Sequence, residues 1–86
     1  MQIGQLLAEL RRAANLSQRE VAHDLGISPS YLSDMETGRR PFSDERAEYL
    51  PDEIRGPVIA AIINNLHARI ERLRGQMPPL AGDEAA

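Results

Sequence analysis

Residues 17–38 read SQREVAHDLGISPSYLSDMETG, and this stretch decides the fold. Ser17 followed three residues later by Glu20 is a capping-box pattern, in which each side chain satisfies an orphan N–H at a helix start. Val21, Ala22 and Leu25 then recur as one apolar stripe, and Gly26 suits the left-handed position that ends many helices. A second start follows at once. Ser28 is an N-cap and Pro29 a first helical residue, where a missing N–H costs nothing. Leu32, Met35 and Glu36 share one face of this segment; Ser30, Ser33, Asp34 and Thr37 share the other. Gly38 again suits a helix end. The spacing therefore predicts two short helices, 18–25 and one from Pro29, joined by Gly26-Ile27-Ser28. That is the helix-turn-helix arrangement. Gly26 reverses the chain without a left-handed penalty, Ala22 lets two backbones approach, and Ile27 pins the turn into the core. The second helix is thereby aimed outward.

On the N-terminal side, Ile3, Leu6, Leu7, Leu10 and Ala14 recur at helical spacing and predict a first helix over 2–14, with Asn15 as its stop. On the C-terminal side, RRPF is a loop, and a fourth helix is expected from an N-capping Ser43 to Pro51, with two acids in its first turn. PDEI is a short helix or linker, and Gly56-Pro57 a breaker. From Pro57 a longer fifth helix is expected to about Arg74. In it Ile59, Ile63, Leu66, Ile70, Leu73 and Met77 are spaced 4, 3, 4, 3, 4, a heptad seam. Residues 76–86 read as a disordered tail.

An 86-residue chain with 42% hydrophobic residues can bury one small core of Leu, Ile, Val and Ala, since only three residues are aromatic. Without Cys it has no disulfide framework or thiolate metal site, and two His do not make a metal cluster. No apolar run reaches membrane-spanning length and no signal peptide opens the chain, so a cytoplasmic location is expected. All ten basic residues are Arg, the side chain suited to planar bidentate contact with phosphate or guanine, although the net charge of −3 disfavours non-specific nucleic-acid binding. His67 is read as a surface partner of Glu71. Glu9, Glu45, Glu48, Asp52 and Glu53 are read as solvated helix faces, because no nucleophile or metal framework accompanies them.

Over residues 3–50, Leu7, Arg11, Ser17, Gln18, Val21, Ala22, Gly26, Ile27, Ser28, Leu32, Met35, Glu36 and Gly38 form a composite pattern. It resembles that of the Xre family, the DNA-binding domains typified by phage Cro and lambda-type repressors. The resemblance implies an all-α, five-helix lambda-repressor-like domain with, here, a longer C-terminal helix. It places Gln18 on the DNA backbone, bracing the first residue of the recognition helix. Pro29, Ser30, Ser33 and Asp34 would meet base edges in the major groove. Arg39 and Arg40 would clamp phosphate. Arg19, Ser28 and Tyr31 complete the expected DNA-binding set. Arg11 and Glu36 are expected to form a partly buried structural ion pair. Two departures stand out: the recognition face lacks Arg, Asn and Gln, the bidentate base readers, and Pro51 and Gly56-Pro57 interrupt the segment after Arg40.

These readings divide the chain into a DNA-binding domain over 1–50 (helix-turn-helix 17–37), a dimerisation helix over 51–75 and the tail. The expected function is that of a sequence-specific transcriptional regulator, a repressor. It would bind a pseudo-palindromic operator in double-stranded DNA as a homodimer through Ile59, Ile63, Leu66, Ile70 and Leu73. No catalytic role, metal, cofactor, small-molecule ligand, membrane contact or separate sensing domain is expected. The alternative is a protein-interaction module, such as an antitoxin or accessory subunit, that binds a partner through the C-terminal helix.

Overall fold

The computed structural model describes residues 2–76, and these residues are organised as four α-helices and one 3-10 segment. Helix α1 spans Ile3–Ala13, α2 Gln18–Leu25, α3 Pro29–Glu36 and α4 Asp52–Gln76, with the 3-10 segment at Asp44–Tyr49 between α3 and α4. The architecture is all-helical, as the periodicity implies. Met77 and the tail beyond it lie outside the described residues.

Each of the first three helices ends in the same way. Asn15, Gly26 and Gly38 adopt positive φ. At each site the left-handed residue's N–H returns to the carbonyl three back, and the next N–H to the carbonyl five back. The latter bonds are Leu16 to Arg11, Ile27 to Ala22 and Arg39 to Asp34. These Schellman closures satisfy the last carbonyls and turn the chain sharply. The starts are equally local. Ser17 Oγ accepts from the Glu20 N–H while the Glu20 carboxylate accepts from the Ser17 N–H, both at 3.0 Å. Ser28 Oγ accepts from the Tyr31 N–H at 3.0 Å, with Pro29 in the first turn.

The helices enclose one core built from Leu7, Val21, Ala22, Leu25, Leu32, Met35, Ala47, Leu50, Ile54 and Val58. Helix α1 packs on both α3 and α4, while α2 packs on α3 and the 3-10 segment. Each large aliphatic side chain so buried contributes about 1.5–3 kcal/mol. At the α1–α3 crossing Gly4 lies against the Met35 carbonyl, and a methyl added there would sit far closer to that oxygen than van der Waals contact allows. The requirement at Gly4 is thus for close approach of two backbones.

Two expectations are corrected. The segment after Ser43 is a six-residue 3-10 helix, not an α-helix, and Ser43 makes no side-chain cap. Its hydroxyl instead donates to the Glu45 carboxylate at 2.7 Å. This lowers the pKa of Glu45, the side-chain hydrogen bond being the main cause. Gly56-Pro57 does not break the chain: α4 begins at Asp52 and runs through both residues. Ile54 and Val58, four apart and 1% and 0% exposed, fall on the core side across the proline. Their burial outweighs the lost hydrogen bond to the Glu53 carbonyl. Glu53 is on the exposed face, and Gly56 lacks the Cβ that would clash with the proline ring.

Two substitutions therefore have opposite expected signs in urea unfolding. Gly4→Ala forces α1 from α3 and destabilises by about 1–3 kcal/mol. Pro57→Ala restores a helical hydrogen bond and stabilises by up to about 3 kcal/mol.

Candidate nucleic-acid interface

The outer face of α3 is held by a polar junction on its inner side. Arg11 of α1 donates twice to the Glu36 carboxylate, from Nε at 2.7 Å and from Nη2 at 3.1 Å. Its Nη1 donates to the Leu16 carbonyl at 3.0 Å. Gln18 Nε2 adds a third bond to Glu36 Oε1 at 2.9 Å. Arg11 and Glu36 are each only 8% exposed, so this charge pair is desolvated yet fully hydrogen-bonded. It fixes the C-terminal end of α3 to α1 and to the first turn of α2. A second arginine acts similarly at the far end of α2, where Arg46 Nη1 donates to the Leu25 carbonyl at 2.8 Å.

On the outward side Gln18, Pro29, Ser30, Ser33 and Asp34 line one shallow open cleft between the start of α2 and the face of α3. Ser28, Pro29 and Ser30 are exposed, as is Arg19 one residue after Gln18; Ser33 and Asp34 are half-buried. Ser28 already uses its hydroxyl oxygen in the cap. Beyond α3, Asp34 is flanked by Arg39 at 3.8 Å and Arg40 at 3.7 Å. The Arg40 guanidinium lies 4.7 Å from the Tyr31 ring centroid. Tyr31 itself is half-buried and packs on the core. A positively charged rim of Arg39 and Arg40 therefore borders a small hydroxylic surface, with one carboxylate between them. Chemically, such a surface suits an anionic, extended ligand, since guanidinium groups and a helix N-terminus are complementary to an anion and short hydroxyl side chains leave room for close approach.

The structure brings most of the sequence-derived set to one face but changes two contacts. Gln18 does not brace the first residue of α3; it reaches Glu36 at the opposite end, because the Glu36 carboxylate has an acceptor position left over after Arg11. Glu71 pairs with Arg74 at 3.4 Å rather than with His67. The Arg40–Tyr31 stacking, the Arg11 bond to Leu16 and the Arg46 cap depend on side-chain reach between elements and have no periodic signal in the sequence. Among the described residues no group of His, Asp or Glu is arranged to hold a metal ion. No helix among them is long and apolar enough to cross a membrane.

A fold built around an outward-facing second helix of a tight two-helix turn is that of a helix-turn-helix domain, and a helix-turn-helix family model matches residues 2–52. The chain belongs to that family, whose members bind DNA through this unit. It is also similar to the ImmF control region 10 kDa protein of Bacillus phage phi105, with 39% identity over 62 residues. That match covers 72% of this chain, and the chain spans 59% of the relative's length. No solved structure matches the chain significantly.

Glu36→Ala would leave Arg11 buried without its carboxylate and release Gln18, with an expected loss of roughly 3–5 kcal/mol. Asp34→Ala removes two loose surface pairs and is expected to change stability by less than about 1 kcal/mol. Urea titrations of the two variants make that comparison. The capping box adds a pH dependence. The Ser17 backbone N–H, followed by its hydroxyl, lowers the pKa of Glu20. Its contribution is therefore complete above the ordinary carboxylate range and is lost as pH falls through the lowered folded-state value. Ser17→Ala is expected to cost about 1 kcal/mol at neutral pH, and Glu20→Gln, which removes the titrating carboxylate, is expected to flatten the acid limb of the stability curve.

Proposed function

We propose that the chain is a sequence-specific DNA-binding transcriptional regulator of the Xre type, a repressor, which reads a pseudo-palindromic operator as a homodimer. The observation that carries this reading is the single face on which Ser30, Ser33 and Asp34 of α3 stand beside Gln18, Arg39 and Arg40. In this reading α3 lies in the major groove. Its N-terminal residues Pro29, Ser30 and Ser33 face base edges, and Asp34 accepts from a base amino group. Arg19, Arg39 and Arg40 contact phosphates on either side. Ser28 and Tyr31 orient these groups, the first by starting α3 and the second by supporting Arg40. The control-region name of the phage relative is consistent with a regulatory role.

A surface of serines discriminates bases weakly, so the half-site sequence is read together with groove shape and bridging water. Pairing of two copies then supplies the remaining selectivity through half-site spacing. The seam of Ile63, Leu66, Ile70 and Leu73, exposed at 40–53%, is the expected pairing surface, continued at its base by the half-buried Ile59. A heterologous protein on that seam is the alternative. A discrete dimer in sedimentation of the purified chain favours the homodimer, and a monomer favours the alternative.

Binding-site selection on random duplex DNA tests the function. A recovered inverted repeat, bound with a steep salt dependence, is the expected result; recovery of no preferred sequence at moderate salt overturns it. On the recovered site, Arg39→Ala and Arg40→Ala are expected to weaken binding similarly for all sequences and to reduce the salt slope by about 1 each. Ser33→Ala and Asp34→Ala are expected to alter which bases are preferred.

A further inference from the structure

The second half of α4 leaves the core as a charged helix with one apolar seam, and its flanks say which way a partner must run. In heptad terms Ile63 and Ile70 occupy one core position, and Ile59, Leu66 and Leu73 the other. The seam residues alone suit two strands, and isoleucine and leucine in this order are common in parallel pairs. The flanks oppose that direction. In a parallel pair Arg69 of one copy meets Arg74 of the other, a like-charge contact that the exposed Arg74–Glu71 pair offsets only in part, and the acids at the root of the helix meet no arginine of the other copy.

The fold supplies an acidic counterpart elsewhere. Asp44, Glu45 and Glu48 of the 3-10 segment are exposed and line a groove with Ile59 and Ile62 of α4. Asp44 also lines the adjoining groove, with Ile62, Leu66 and Arg69. The acids therefore stand on the Ile62–Arg69 side of the seam, beside the root of the projecting helix. The basic side chains Arg69 and Arg72 lie on that same side, toward the helix's far end.

We infer that a second copy of this chain lies antiparallel on the seam, with its Arg72 against Asp44, Glu45 and Glu48. Ile63 then packs opposite Leu73 of the second copy and Leu66 opposite Ile70. The two-fold axis crosses α4 at the level of residue 68. Antiparallel pairing places like flanks together, so Arg72 of one helix runs past the acidic side of the other's root, and symmetry repeats the contact; the two Arg69 side chains meet beside the axis, where Asp44 of each copy lines the same groove and offsets their repulsion. At about 1.5 Å per residue the two Pro57 levels stand about 33 Å apart along the pair. The two domains therefore stand at opposite ends of the pair, whereas a parallel pair would set them side by side at one end. The inference rests on the homodimer of the proposed function.

Because the chain has no cysteine, introduced thiols report the direction. Leu66 and Ile70 are 52% and 40% exposed, so replacing either leaves the domain core untouched. An oxidised mixture of L66C and I70C chains is expected to form a mixed disulfide dimer, while each variant alone stays largely uncrosslinked. Efficient crosslinking of I70C alone means a parallel pair, which overturns the inference and leaves the homodimer standing. A wild-type chain that sediments as a monomer at tens of micromolar overturns both. As a second measurement, Arg72→Glu is expected to weaken dimerisation roughly tenfold, since the lost contact occurs twice. Adding Asp44→Arg to that chain is expected to restore it. An unchanged dimer constant in Arg72→Glu overturns the placement of the charges.

Discussion

The Glu36 carboxylate is the constraint on which the rest of the molecule depends. It receives Arg11 from α1 and Gln18 from α2, and Arg11 also holds the Leu16 carbonyl between those helices. A buried ion pair is weak evidence for stability, because desolvation offsets much of its attraction. What it does supply is direction. Apolar packing of Leu32 and Met35 tolerates small rotations of α3; three directed hydrogen bonds on one carboxylate do not. The orientation of Ser30, Ser33 and Asp34 on the opposite face follows from that fixed inner face.

What could be read from the sequence is what is encoded within a few residues. The capping box at Ser17, the Ser28-Pro29 start and the left-handed Gly26 and Gly38 are local arrangements, and the chain forms them as their spacing implies. The apolar stripes of α1 to α3 give the core in the same way. The failures are non-local. Gly56-Pro57 carries a breaking signal, yet Ile54 and Val58 gain enough by burial on either side of it to keep one helix. The Gly4–Met35 approach and the Gln18–Glu36 bond join residues far apart in the chain. The placement of Ser30, Ser33 and Asp34 on the outer side of α3 was legible from helical spacing, but the partners of Asp34 were not, since Arg39 and Arg40 reach back over a turn.

Placement rather than net charge makes this acidic chain compatible with a nucleic-acid partner. Of its ten arginines, several are consumed by structure: Arg11 in the junction, Arg46 on the end of α2, Arg55 on Asp52 and on the Leu50 carbonyl. Arg39 and Arg40 remain on the rim of α3, and their contacts with Asp34 are long and solvent-accessible. Pairs of that kind are worth about 1 kcal/mol or less. Such pairs are displaceable at little cost by a competing anion, and without one Asp34 keeps both side chains gathered beside the helix instead of dispersed in solvent.

Continuity of α4 through Pro57 has a mechanical consequence. Val58 is fully buried in the core, and Ile63, one and a half turns on, is 46% exposed, with unbroken helix between them. The projecting arm is therefore an extension of the core rather than a tethered appendage. Helix α1 packs on both α3 and α4, so the path from the exposed seam to the outward face of α3 passes only through packed helices and the Glu36 junction. Had the chain broken at Gly56-Pro57, a hinge would lie on that path, and anything bound to the arm would leave α3 free to wander. With the helix intact, whatever fixes the arm also fixes where α3 points.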